Sequence, residues 1–113
     1  MNIIQAICRD EGIKFCYMPD FMSETKKKTK GIALYDAEHG IKTILLNGDS
    51  IFSKWERRLI ASHELAHLLF GHLANACQLS DNIKEDEART FSCVFTALML
   101  YDEYRKDAEK CKE

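Results

Sequence analysis

Residues 63–67 read His-Glu-Leu-Ala-His, an H-E-x-x-H sequence, inside a segment that carries the signals of a helix at both ends. Ser53 precedes Glu56 by three residues, the spacing of a capping box, so a helix is expected to begin at Lys54. Trp55, Leu59, Ala66 and Phe70 recur at helical spacing, and Gly71 offers a stop. Residues four apart on a helix lie one turn above each other, so His63 and His67 share a face on which two imidazoles can converge on one ion. Glu64 follows His63 by about 100° around the same helix. With Leu59, Ile60, Leu68 and Leu69 around it, Glu64 is expected to be partly buried. An unpaired carboxylate there is costly, and a nearby cation offsets that cost. The fold must therefore bury most of this helix and still leave one of its faces open to a metal.

One zinc ion is the expected occupant, since zinc accepts two histidine nitrogens and a carboxylate and keeps a fourth position for water. Such a water is readily deprotonated near neutral pH by a carboxylate, and Glu64 can reach it, which makes hydrolysis of an amide possible. Two histidines leave the site one ligand short. His72 lies at +9 from His63, whereas the extended zinc motif H-E-x-x-H-x-x-G-x-x-H puts its last histidine at +10. On a continued helix His72 would lie about 140° round from His67, so a surface or capping role is expected for it, with hydrogen-bond donation in catalysis as an alternative. Glu85 and Glu87 are the better candidates for third ligand. Glu85 is preferred because it shares a face with Ala88 and Ser92, small residues that allow two helices to approach closely; Glu87 lines up with Phe91 and Val94 and is the alternative. Asn82-Ile-Lys-Glu85 also fits a capping box, which would make Glu85 no more than a helix-start residue.

The rest of the chain supplies a small sheet and two more helices. Ile3, Ile4, Ile7 and Cys8 form one face of a short helix stopped by Gly12, and Ile13, Phe15 and Tyr17 alternate as a strand. Residues 31–36 and 41–46 are β-rich runs joined by a four-residue loop, the pattern of a hairpin. A long helix is expected from about Ile83 to beyond Tyr104, with Ala88, Phe91, Ser92, Phe95, Leu98 and Met99 on its buried stripe. The fold class expected is α+β: a small antiparallel three-stranded sheet packed on a helical bundle that contains the H-E-x-x-H helix and a long C-terminal helix. At 113 residues the chain is expected to form a single domain.

Sixteen basic against 18 acidic residues give a net charge of −2, which argues against general nucleic-acid or anionic-lipid binding. The lysines at 26, 27, 28 and 30 read as a surface loop. The charges at Arg9, Asp10 and Glu11 follow too soon for a signal peptide, and the least charged stretch, 59–78, contains Glu64 and three histidines, making it a poor membrane span. Five cysteines without a C-x-x-C pair suit a reducing cytoplasm and are expected to serve mostly as small buried apolar residues. A cytoplasmic monomer is expected.

The stretches Gly31-Ile-Ala-Leu-Tyr35, Ile44-Leu-Leu-Asn47, the run from Glu56 through His63-Glu-Leu-Ala-His67 to His72, and Glu85-Asp-Glu-Ala88-Arg-Thr-Phe91-Ser92 together resemble the ImmA/IrrE family of small zinc metallopeptidases, over about residues 30 to 95. The resemblance implies His63, His67 and Glu85 as zinc ligands, the last from an E-x-x-A-x-x-F-A pattern that ends here in Ser92, and Glu64 as general acid/base. The family's L-L-M-P ending is replaced by Phe95-Thr-Ala-Leu98. It further implies a cytoplasmic endopeptidase, often encoded on phages or integrating elements, whose protein partner is a helix-turn-helix transcriptional repressor. A non-catalytic regulatory protein that keeps the fold and a zinc site is the alternative, and a metal-dependent hydrolase of a non-peptide substrate is a third. An extended peptide would be held by an edge strand, for which 41–46 is the expected one. His39, His72, Tyr101 and Tyr104 are the side chains that could serve as additional donors to an oxyanion.

Overall fold

The computed structural model describes residues 3–18, 30–47, 53–74 and 76–111. The elements run α1 (Ile3–Asp10), β1 (Ile13–Met18), β2 (Gly31–Asp36), β3 (Ile41–Asn47), α2 (Lys54–Leu69) and α3 (Asp81–Cys111), an α+β arrangement of a three-stranded sheet against helices. The lysines at 26, 27 and 28 fall outside the described residues.

The strand order is β1-β3-β2. β2 and β3 form the expected antiparallel hairpin, with Ala33 opposite Ile44. β1, however, pairs with β3 in parallel, Phe15 opposite Ile44, so the sheet is mixed and not antiparallel throughout. The strand over 41–46 is correspondingly central, and the expectation that it forms an edge is overturned. Burial explains the order. Ile44, Leu46 and Asn47 of β3 are 0–2% exposed, and a strand covered this fully satisfies its backbone best with a neighbour on each side. The more exposed β2 is left with one free side.

The core joins Ile4 and Cys8 of α1, Ile13 of β1, Ile44 and Leu46 of β3, and Ala61, Leu65 and Leu68 of α2. Cys8 fits the expectation of a small buried residue, and burial pushes its thiol pKa up; Cys16 and Cys93 are exposed and do not. α2 begins where expected, with the Glu56 N–H donating to Ser53 Oγ at 3.1 Å. That cap sets which of its faces meets the sheet. Gly31 of β2 lies directly under this helix: a Cβ there would sit 2.8 Å from Ile60 Cγ2 and 3.1 Å from Leu46 Cδ2.

α3 starts at Asp81, two residues before expectation, because Ser80 is its cap and accepts from the Ile83 N–H at 3.3 Å. It packs on α2 through small side chains. Ala88, Ser92 and Thr96 are buried; Ser92 Oγ donates to the Leu59 carbonyl at 2.8 Å, and Ser62 Oγ donates to the Arg58 carbonyl at 2.7 Å while lying 3.4 Å from Thr96 Oγ1. Leu98 is 61% exposed and does not belong to the buried stripe; at 100° per residue it turns away from the line through Ala88, Ser92 and Thr96. Further along, Glu103 receives Arg58 Nη1 at 2.8 Å and Lys54 Nζ at 3.1 Å, which hold its carboxyl below the usual carboxylate range. Among the described residues no helix is long and apolar enough to cross a membrane.

The contact between β2 and α2 depends on the missing side chain at Gly31. Gly31→Val is expected to lower the unfolding free energy by about 1–3 kcal/mol through forced separation of strand and helix. Urea denaturation checks this, and a midpoint equal to the parent's would show that Ile60 yields at no cost.

Candidate metal centre

His63 and His67 face α3, where Ala88 and Ser92 bring the two helices close enough for one carboxylate to reach both. His63 Nε2 lies 2.9 Å from Glu85 Oε2, and His67 Nε2 lies 3.0 Å from Glu85 Oε1. The imidazole centroids are 4.9 Å apart with their planes at 75°. A ligand atom from each of the three residues lies within 4.8 Å of the other two, so the two helices aim a nitrogen, a nitrogen and an oxygen at one small region. Glu85 is half exposed, which leaves that region open to solvent. Because Ser80 caps α3, Glu85 sits beyond the first turn, and Asn82 does not form the capping box that would have reduced Glu85 to a helix-start residue.

Glu64 points from α2 toward the sheet. Burial pushes its carboxyl pKa up from an ordinary 4.5 to about 7, the negative charge of Glu85 adds to the rise, and a hydrogen bond from the Ala33 backbone N–H takes part of it back. That N–H is free to reach Glu64 because of the hairpin register. The Asn47 N–H donates to the Lys30 carbonyl at 3.0 Å, so Lys30 and Asn47 are a hydrogen-bonded pair. Alternation along an antiparallel ladder then turns the N–H and C=O of Gly31, Ala33 and Tyr35 away from β3, toward the open side of β2. His67 is held below the ordinary imidazole pKa, first by burial and then by the neighbouring His63 and His72, with Glu85 opposing. Neutral imidazole is the form that binds a metal.

Glu87, the alternative third ligand, takes no part in this trio; its Oε2 lies 3.6 Å from His72 Nε2. His72 itself departs most from the sequence reading. It is 2% exposed, not on the surface, and its Nδ1 is 3.0 Å from His67 Nδ1. The helix does not continue to His72: Gly71 takes φ +68°, the Gly71 N–H donates to the Leu68 carbonyl at 3.3 Å, and the His72 N–H donates to the His67 carbonyl at 3.0 Å. These two bonds are a Schellman motif, which folds the residue after the glycine back over the residue four before it. A histidine directly after the terminal glycine and another four residues before that glycine were the signal, and reading the helix as continuous concealed it. The other suggested oxyanion donors do not assemble here. His39 pairs with Asp36 at 2.9 Å within its turn, and Tyr101, 16 residues beyond Glu85 on α3, is about 24 Å along the helix axis, with Tyr104 farther still.

The donor set fits zinc: two histidine nitrogens and a carboxylate that already converge, one imidazole held neutral by burial, and open solvent on the fourth side. An H-E-x-x-H helix whose histidines meet a carboxylate from a second helix, with a free strand edge beside the intervening glutamate, defines a metallopeptidase-like domain. Residues 8–112 match peptidase family M78, described as the IrrE N-terminal-like domain, and the chain belongs to that family. Searches among curated proteins and among solved structures gave no match.

The shift at Glu64 has a consequence for the metal-free protein. A carboxyl whose folded pKa exceeds its unfolded value contributes stability that is whole below pH 4.5 and lost as pH rises through about 7. Glu64→Gln removes this dependence. In the presence of a chelator the variant is expected to match the parent near pH 4.5 and to exceed its stability by on the order of 3 kcal/mol at pH 8. Parallel urea titrations across that range check it, and a difference that stays flat would mean that Glu64 carries its charge without penalty.

Proposed function

We propose that this chain is a zinc-dependent endopeptidase that cuts a peptide bond in one specific protein, and that its target is a helix-turn-helix transcriptional repressor of a phage or mobile element. The observation that carries the hydrolytic part is the position of Glu64: its carboxyl is largely buried, hydrogen-bonded to a strand edge and adjacent to the His63–His67–Glu85 trio. A metal site serving structure alone has no use for such a group. Membership of peptidase family M78 supports the reaction class, and the resemblance to ImmA/IrrE peptidases supports the choice of target.

His63, His67 and Glu85 would hold the ion. Zinc, when bound, supplies Lewis-acid polarisation of the peptide carbonyl and makes water a competent nucleophile at neutral pH. Glu64 accepts a proton from the attacking water and delivers it to the amide nitrogen as the C–N bond breaks, leaving a carboxylate and an amine. The substrate lies extended along the outer side of β2, where the backbone groups of Gly31 and Tyr35 flank Ala33 and can add a strand to the sheet. A cavity of about 350 Å³ lined by Gly31, Leu59, Ile60, Glu64, Arg89 and Cys93 receives a side chain next to the scissile bond.

Purified protein should contain one zinc per chain and cleave the repressor encoded beside it. Glu64→Gln should keep the zinc and lose at least ~10²-fold in cleavage rate, whereas His63→Ala and His67→Ala should lose the metal as well. Metal analysis and mass spectrometry of the cleavage products read both. Cleavage by Glu64→Gln at the parent's rate would remove Glu64 from the reaction, and zinc retention without cleavage by the parent would favour the non-catalytic regulatory alternative.

A further inference from the structure

We propose that His72 and Glu87 form a relay behind the metal site in which His72 sets the tautomer and ring orientation of His67, making His72 a positioning residue for zinc. The inference rests on the reading of His67 as a ligand and extends it to residues that do not touch the ion.

The two Nδ1 atoms of His67 and His72 are 3.0 Å apart, a hydrogen-bond distance, so one proton lies between them and only one ring can carry it. What sits on His67 Nε2 decides which. Without metal, Glu85 Oε1 at 3.0 Å is an acceptor and requires a proton on His67 Nε2. His67 Nδ1 is then the acceptor, His72 Nδ1 is the donor, and His72 Nε2 carries a bare lone pair. In that state His72 Nε2 is a buried polar atom with no hydrogen bond, as the structure has it. Use of the His67 Nε2 lone pair by a metal would reverse the chain. His67 would then have to carry its proton on Nδ1 and donate to His72 Nδ1. His72 then carries its own proton on Nε2, facing Glu87 Oε2 at 3.6 Å, and the side chain of Glu87 is 41% exposed and able to close that distance. The exchange only moves protons between ring nitrogens, and their number does not change.

Metal-ligating histidines are commonly oriented through their other ring nitrogen by a carboxylate, carbonyl or water, and loss of that partner typically costs 10–100-fold in affinity or activity. Here the partner is a second imidazole, fully enclosed and wedged by ring contacts to His67 at 5.2 Å and to Phe70 at 5.7 Å. The Schellman turn holds its backbone to the carbonyl of the very residue it orients. A histidine with no role toward His67 would not need its imidazole turned inward at that cost in buried polar surface.

The test measures zinc affinity by competition with a chromophoric chelator, which needs no substrate. His72→Phe, which keeps the ring volume and removes both nitrogens, should weaken zinc binding ~10–100-fold. His72→Asn, whose Oδ1 can occupy the Nδ1 position as an acceptor, should recover most of that loss. Glu87→Gln should weaken binding less than His72→Phe. Long-range ¹H–¹⁵N spectra of the unaltered protein give a second readout that does not depend on any variant folding: on zinc addition, His67 should appear protonated at Nδ1 and His72 at Nε2. Parent-like affinity in a folded His72→Phe, or a zinc-loaded spectrum with His72 protonated at Nδ1, would overturn the relay while leaving the metallopeptidase reading in place. A parent chain that binds no zinc would overturn both.

Discussion

The structure depends on the convergence of two imidazole nitrogens from one helix on the two oxygens of a single carboxylate from another. The distances of 2.9 and 3.0 Å require α2 and α3 to lie unusually close at this point. Small side chains make that approach achievable: Ala88, Ser92 and Ser62 fill the contact, and the two serine hydroxyls donate to carbonyls of α2, so neither is left unpaired by the close packing. A leucine at any of these positions would hold the helices apart and move Glu85 out of reach.

The sheet contributes more than a floor for the helices. β3 takes the buried centre, and β2 is thereby left as an edge with outward amides on the side of Glu64. One of those amides, at Ala33, is already engaged with Glu64. The same arrangement that tunes a carboxyl to about 7 also presents backbone to an incoming chain. Gly31 is the point at which this is achieved, since only a residue without a side chain lets β2 run so near Ile60. The environment of Glu64, edge exposure and helix packing are therefore coupled through a few residues of one strand.

The behaviour of His72 follows from how α2 ends. A glycine in the left-handed region reverses the chain within one residue, and the Schellman hydrogen bonds bring the next side chain back over the last full turn. In most helices that contact is between two apolar groups. Here it is between two imidazoles, one of which faces the metal site. A stop signal of the fold thus decides which side chain lies against His67.

Local physics was legible in the sequence. The Ser53 cap, the hairpin of 31–36 with 41–46, the short first helix and the shared face of His63 and His67 all depend on residues within one or two turns of each other, so spacing alone determined them. The approach of Glu85 to the two histidines was legible too, because small residues at i+3 and i+7 announce a close helix contact. Tertiary structure decided what depends on which surfaces are buried together: that β3 and not β2 lies in the centre, that β1 runs parallel to it, that Leu98 and Cys93 face outward, and that His72 folds back beneath His67. Chain sequence specifies periodicity and turns, whereas strand order and the partners of a buried polar group are set by competition among distant segments for the same core.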